Sequence, residues 1–187
     1  SFYNETGLPW VLPSPNMPSL QTAIVYPGMV LTEALNISEG RGTTLPFELF
    51  GAPFIDPEKL KRNLDSRKIP GCMFRIHGFI PTFNKYRGIY CNGLQIHVTE
   101  PEKYYPVAMA LEIFDAILKT TPENSMQFKE PPYEYEYKLM PFDILSGDSG
   151  MRISLLENQP VEYEKQRWRE EIEAFRKEFA GLAVYHD

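Results

Sequence analysis

Between Asn36 and Pro53 the chain reads NISEGRGTTLPFELFGAP, a stretch that no helix can traverse and around which the flanking segments must be arranged. Pro46 removes a backbone donor and Pro53 closes the run. Gly40 and Gly42 flank Arg41, where a backbone without Cβ can take φ > 0 or approach a ligand closely. The pattern predicts a glycine-hinged loop feeding a short apolar strand, Leu45 to Phe50. The stretch carries two carboxylates (Glu39, Glu48), one guanidinium (Arg41) and two adjacent hydroxyls (Thr43, Thr44). Loops of this kind hold polar groups over a rigid scaffold. The same residues also describe a solvated turn with Glu39 and Arg41 paired across it, which contributes almost nothing to stability.

The rest of the chain is cut short by its 17 prolines, which predict many ordered loops between brief elements. Its 187 residues suit one domain, 1–187, with a sizeable core. A net charge of -6 works against binding nucleic acid through its phosphates. No apolar run reaches the length of a membrane span. Cys72 and Cys91 are too few for a disulfide framework or a zinc cage, and one bridge between them is a reading left open. Ser1 is not a start methionine and no signal segment precedes it, so the chain reads as processed, trimmed or cut from something longer.

Taken in order, the proline-rich start is extended, with Trp10, Val11 and Leu12 laid against the core. Asn16 caps the following turn or orients a ligand. Pro18 opens a short helix that is expected to stop before Pro27-Gly28, and Tyr26 sits at that break. A second helical turn, Met29 to Leu35, brings Glu33 to the edge of the central loop. Asp56-Pro57 is a helix start, an N-cap carboxylate followed by proline at the first position. Gly71 to Pro81 and Ile89 to Glu100 alternate as strands, and the segment between them is short enough for a hairpin. That hairpin makes His77 and His97 near neighbours. No third ligand stands at a recognisable spacing, so they read as polar-face histidines rather than a metal site.

Pro101 to about Thr121 is the strongest helix, with Tyr104, Ala108, Leu111, Phe114 and Leu118 on one stripe. Tyr133, Tyr135, Tyr137 and Leu139 alternate with charges and predict a strand with an aromatic face. Asp143 is expected to cap a short helical turn, and Met151 to Leu156 to form a strand. Val161 to Ala180 is a surface helix with Val161, Trp168, Ile172, Phe175 and Phe179 facing the core, and Leu182 to Tyr185 a final strand. Interleaved helices and strands predict an α+β fold, a mixed sheet with packed helices.

Several chemistries are excluded by their missing motifs. GRGTT lacks the lysine of a phosphate-binding P-loop, and no GxGxxG, GxSxG or HExxH occurs. What remains is a set of carboxylates around a glycine-rich loop, with Arg41 and several tyrosines nearby. Two carboxyl groups flanking a bond, with aromatics to hold the ring, suit glycoside hydrolysis. Arg41 could also bind a substrate carboxylate through two parallel hydrogen bonds.

The ordered series PWVLPSPNMP, YPG, NISEGRGTTLPFELFGAPFID, GIYCNGLQIHV and PPYEYEYKLMPFDILSG, with the Trp-containing helix after it, resembles the C-terminal half of the NamZ-type exo-β-N-acetylmuramidases. That family was long catalogued as a domain of unknown function, and the resemblance spans roughly Gly7 to Tyr185. It implies a Rossmann-like N-terminal domain outside this chain and an active site in the cleft between the two. It further implies a glycosidase that removes terminal N-acetylmuramic acid from peptidoglycan fragments, with a secreted, periplasmic or cell-surface location and no cofactor. On that footing Glu39, Glu33 and Glu48 are the candidate catalytic carboxylates, and which is acid and which base or nucleophile stays open. Arg41, Asn36, Tyr26, Thr43 and Asn16 are the candidate substrate-binding residues. Glu33-Ala34-Leu35 stands where the family pattern has Glu-Gly-Thr, and Leu45 where it has a basic residue. These departures bear on the exact sugar more than on the fold, and a related acidic or N-acetylated sugar fits as well. The competing reading is a non-catalytic carbohydrate-binding or domain-docking module built on the tyrosine segment.

Overall fold

The computed structural model describes residues 2–182. Three strands, β1 (Leu49–Ala52), β2 (Cys72–Ile76) and β3 (Asn92–Val98), form a sheet of order β1-β3-β2. Both pairings are antiparallel, with Phe50 opposite Leu94 and Phe74 opposite Ile96. The fold is therefore α+β, and the sheet is antiparallel throughout rather than mixed. Phe50, Phe74, Leu94 and Ile96 point into one core. The other face carries a small second cluster of Leu49, Phe79 and Cys91.

Helices α1 (Leu20–Met29) and α2 (Pro57–Arg67) pack on the first face, and α3 (Pro106–Thr120) lies against both. α1 does not stop at Pro27-Gly28 but runs through it. A Cβ on Gly28 would lie 2.0 Å from Pro106 O, so the bare glycine is what lets α1 cross the start of α3. Asp56 caps α2 as expected, its side chain accepting from the Lys59 backbone N–H at 3.0 Å. The long helix divides into a 3₁₀ turn, Pro101–Lys103, and α3, because Pro106 sets a new first position. α3 is buried nearly all round, by Met109, Leu111, Ile113, Phe114 and Ile117 among others. Two free thiols replace the bridge left open between Cys72 and Cys91. Burial pushes both up to about 11.

The C-terminal third departs most from the sequence pattern. Residues 133–136 are a tight turn, with Tyr133 N–H on Glu136 O and Glu136 N–H on Tyr133 O, each 2.9 Å. The Glu136 carboxylate then accepts the Lys138 and Leu139 N–H groups, which hold it below the usual range. Among the described residues no strand lies alongside, so the alternation of tyrosines has nothing there to pair with, and Tyr135 is 91% exposed. Asp143 sits in the first turn of α4 (Pro141–Ser146) but does not cap it. Its two oxygens accept Arg152 Nε and Nη2 at 2.6 and 2.7 Å. The expected strand at Met151 is α5 (Gly150–Leu156), whose buried Met151, Ser154 and Leu155 follow helical spacing.

α6 (Val161–Phe179) is a helix as expected, yet only its first half is covered. Beyond Trp168 every residue is exposed, Ile172 at 51% and Phe175 at 61% among them. At the other end Trp10 is half-buried edge-on to Tyr3, while Val11 and Leu12 face outward. The strand expected at Leu182 to Tyr185 lies largely outside the described residues.

Candidate active site

The central loop is moored to β1 by Ser38, which exchanges both backbone hydrogen bonds with Gly51 at 2.8 and 3.0 Å. From there the chain turns twice through left-handed glycines, Gly40 (φ 73°) and Gly42 (φ 83°), so the flanking of Arg41 by glycine has the conformational use the sequence suggested. The expected strand from Leu45 begins only at Leu49, because Phe47 turns left-handed at φ 64°. Phe47 is fully buried and lies under two side chains. Tyr26 meets it edge-on at 4.9 Å, and the Arg41 guanidinium stands 5.1 Å above its ring centre.

Arg41 joins two carboxylates. Its Nη2 donates to Glu33 Oε1, and its Nε stands 3.5 Å from Glu39 Oε1. That Nε is buried and makes no hydrogen bond to the described residues, so the contact with Glu39 is one of charge. The Glu33 side chain is 19% exposed and that of Arg41 28%, so both meet solvent. Glu33 Oε2 also accepts the Tyr133 hydroxyl at 3.1 Å. Burial, and then the charge of Glu33, pushes that phenol up to about 12, so it stays a donor.

Glu39 is different, being only 1% exposed. Its oxygens accept Asn84 Nδ2 at 3.1 Å and Lys85 Nζ at 2.8 Å. A carboxylate withdrawn this far from water requires such partners. It has no outward face with which to touch a substrate. Lys85 is itself drawn below the usual lysine range by burial, against the opposing pull of Glu39.

Most of the other candidates are spent on structure. Glu48 precedes β1 and turns away to the start of α1. There its Oε1 accepts Ser19 Oγ at 3.1 Å and Thr22 Oγ1 at 2.7 Å. Asn36 donates Nδ2 to Ser125 O and accepts Gln127 N–H, both at 2.8 Å, so its amide ties the loop to residues 125–127. The Thr43 hydroxyl closes its own turn on Gly40 O at 2.6 Å. Ser19 caps α1, and Asn16 donates its backbone N–H to Ser14 Oγ at 3.2 Å, with no side-chain bond among the described residues. Tyr26 packs on Phe47 inside α1 rather than at a helix break. Glu33, Glu39 and Arg41 are thus brought together, while Asn16 and Glu48 are not among them.

The residues missed in the sequence lie in the hairpin turn after β2, where Asn84 and Tyr86 are left-handed at φ 66° and 56°. Thr82 Oγ1 donates to Gly42 O at 2.9 Å and Tyr86 OH to Asn36 O at 2.6 Å. Asn84 and Lys85 reach Glu39 between them. Only the turn itself was legible, since a lone lysine in a turn carries no periodic signal.

The two histidines are not neighbours. His97 stands opposite Met73, and His77 lies beyond the Ile76–Leu94 pair. His77 Nδ1 meets Arg75 Nη2 at 2.8 Å. Among the described residues no three His, Cys, Asp or Glu side chains gather around a metal position, and no helix is long and apolar enough to cross a membrane.

Residues 24–185 match the family model described as exo-beta-N-acetylmuramidase NamZ, C-terminal. The chain is 38% identical over 183 residues to the peptidoglycan beta-N-acetylmuramidase NamZ of Bacillus subtilis strain 168. That alignment takes in 98% of this chain but 42% of the relative. Two crystal structures of DUF1343 family proteins from Bacteroides fragilis NCTC 9343 share the fold. One superposes with a TM-score of 0.81 at 24% identity, over 98% of this chain and 47% of that one. The other gives 0.63 at 20% identity, over 94% and 44%. The chain thus spans less than half the length of each of these relatives.

Proposed function

The chain belongs to the NamZ C-terminal family, and on that premise we propose that it forms one wall of a sugar cleft in an exo-acting glycoside hydrolase. The hydrolase releases N-acetylmuramic acid, or a related acidic or N-acetylated sugar, from the end of peptidoglycan fragments. The observation that carries this reading is the Glu33–Arg41 pair, which keeps the widest solvent-facing edge of the charge network around the loop. Glu33 is the carboxyl presented to the sugar. Arg41 aligns it and has Nη1 left for a substrate oxygen. Glu39 supports Arg41 from beneath as a positioning group, and Glu48 stays outside the cleft.

Glycoside cleavage needs a second carboxyl group across the bond. In this reading the second group comes from the N-terminal domain, Rossmann-like in the family, that completes the cleft. Exposed apolar side chains occur on both segments that hold the site's carboxylates. Ile80, Phe83, Ile89 and Tyr90 stand on the hairpin that holds Glu39, Tyr135 on the turn that holds Glu33 and Tyr137 just after it. Surfaces of this kind suit a docking domain and a bound sugar ring. Peptidoglycan as substrate puts the enzyme at the cell surface, in the periplasm or outside the cell.

The test compares this chain alone with the chain joined to its N-terminal domain, on a chromogenic aryl β-N-acetylmuramide. The proposal expects release only from the joined form. The competing reading, a binding or docking module, draws support from the sealing of Glu39 and the 91% exposure of Tyr135. It expects saccharide binding by the joined form without any turnover that depends on Glu33.

A further inference from the structure

Lys85 is a cation of the site with no part in the reading above, and all three of its donors are engaged. Its ammonium donates to Thr32 O at 2.6 Å, Ile37 O at 2.8 Å and Glu39 Oε2 at 2.8 Å. All three donors of a lysine are thereby used. Thr32 immediately precedes Glu33, and Ile37 and Glu39 lie on the limb of the loop that returns past it. One nitrogen therefore cross-links both limbs of the segment that carries Glu33. Through Glu39 it also braces Arg41, which holds the Glu33 carboxyl from the other side.

We propose that Lys85 is a positioning residue for the Glu33–Arg41 pair, fixing where Glu33 stands by clamping the backbone on either side of it. The inference rests on the reading of Glu33 as the sugar-facing carboxyl. Several features make it more than a buried ion pair. Lys85 is delivered between two left-handed residues, Asn84 and Tyr86, a costly backbone kept where it serves a purpose. Its neighbours Thr82, Asn84 and Tyr86 all bond the same loop, at Gly42, Glu39 and Asn36. The hairpin turn thus acts as one template against residues 32–42. The Lys85 and Glu39 side chains are only 12% and 1% exposed, so water has little room to replace either. A guanidinium spreads its five donors in one plane over a larger head, so it cannot point three of them from a single nitrogen at Thr32 O, Ile37 O and Glu39 Oε2 as the ammonium does, and arginine is a poor substitute here.

The test uses the two-domain protein and the same aryl muramide. Lys85→Arg keeps the charge that Glu39 requires but not the three-way geometry. Misplacing a reacting group by about 1 Å costs roughly a hundredfold in rate. Lys85→Arg is therefore expected to lose turnover by that order, with KM changed by less than about threefold. Lys85→Met/Glu39→Gln removes both charges, avoids a lone buried ion and is expected to fold while turning over as poorly. Wild-type kcat in either folded variant overturns the proposal. Glu33→Gln, measured beside them, separates the two levels. Full activity in Glu33→Gln means that the reading of the site fails. Loss there with full activity in Lys85→Arg means that only the clamp fails.

Discussion

The Tyr133 hydroxyl donates a 3.1 Å hydrogen bond to Glu33 Oε2 across a separation of 100 residues. The turn at residues 133–136 therefore has a task that its sequence pattern conceals: it brings a phenol to the carboxyl that Arg41 holds from the other side. Tyr133→Phe removes the donor and leaves the ring. Such a change costs about 1–3 kcal/mol of stability, and turnover is expected to fall more than saccharide affinity. The folded phenol, pushed up to about 12, titrates above its unfolded value of about 10. Its contribution is therefore full below about pH 10 and is lost as the pH rises towards 12. Denaturation at stepped pH is expected to show a steeper loss in the wild type than in Tyr133→Phe, which keeps only the loss that the buried thiols of Cys72 and Cys91 and the phenols of Tyr86 and Tyr104 contribute.

Two left-handed glycines offer a matched comparison. A Cβ on Gly42 would lie 2.7 Å from Thr82 N and 2.8 Å from Phe83 N, whereas one on Gly88 meets nothing within 4 Å. Both have positive φ, 83° and 73°. Gly88→Ala is expected to cost only the backbone penalty, about 1–2 kcal/mol. Gly42→Ala is expected to cost clearly more and to loosen the loop from its hairpin template. Equal melting temperatures for the two variants would show that the close approach at Gly42 contributes nothing.

The outer half of α6 is expected to be neutral for the stability of this chain. Phe175 and Phe179 stack on each other at 4.4 Å but stand in solvent, at 61% and 39% exposure. Phe175→Lys should change the unfolding free energy by less than about 0.5 kcal/mol. Leu111→Ala, in the covered part of α3, should cost about 2–5 kcal/mol. A large loss in Phe175→Lys would mean that the stripe is covered after all.

What could be read in the sequence follows from how local each signal is. The Asp56 cap, the hairpin strands and the glycines around Arg41 are set by residues within a few positions of one another, and they appear as expected. The tyrosine row misled because a short alternating run becomes a strand only beside a partner, and among the described residues the sheet has none there; Met151 to Leu156 misled because a short apolar run after a turn fits a strand or a helix equally. α1 passes through Pro27-Gly28 because α3 requires a bare backbone at Gly28, a condition imposed from far along the chain. At the site, Glu33, Glu39 and Arg41 were visible as a charged cluster. The division between a sealed Glu39 and an open Glu33 was not, because Lys85 and Asn84 come from more than forty residues away and carry no pattern.

The most direct test of the central claim is the rate of muramic acid release by Glu33→Gln in the two-domain protein, at a melting temperature matched to the wild type. Proton transfer by a positioned carboxyl contributes about 10²–10⁴-fold. Glu33→Gln is expected to lose kcat by that range, with KM within about threefold of wild type. Turnover at the wild-type rate would contradict the claim and leave Glu33 and Arg41 as a structural ion pair.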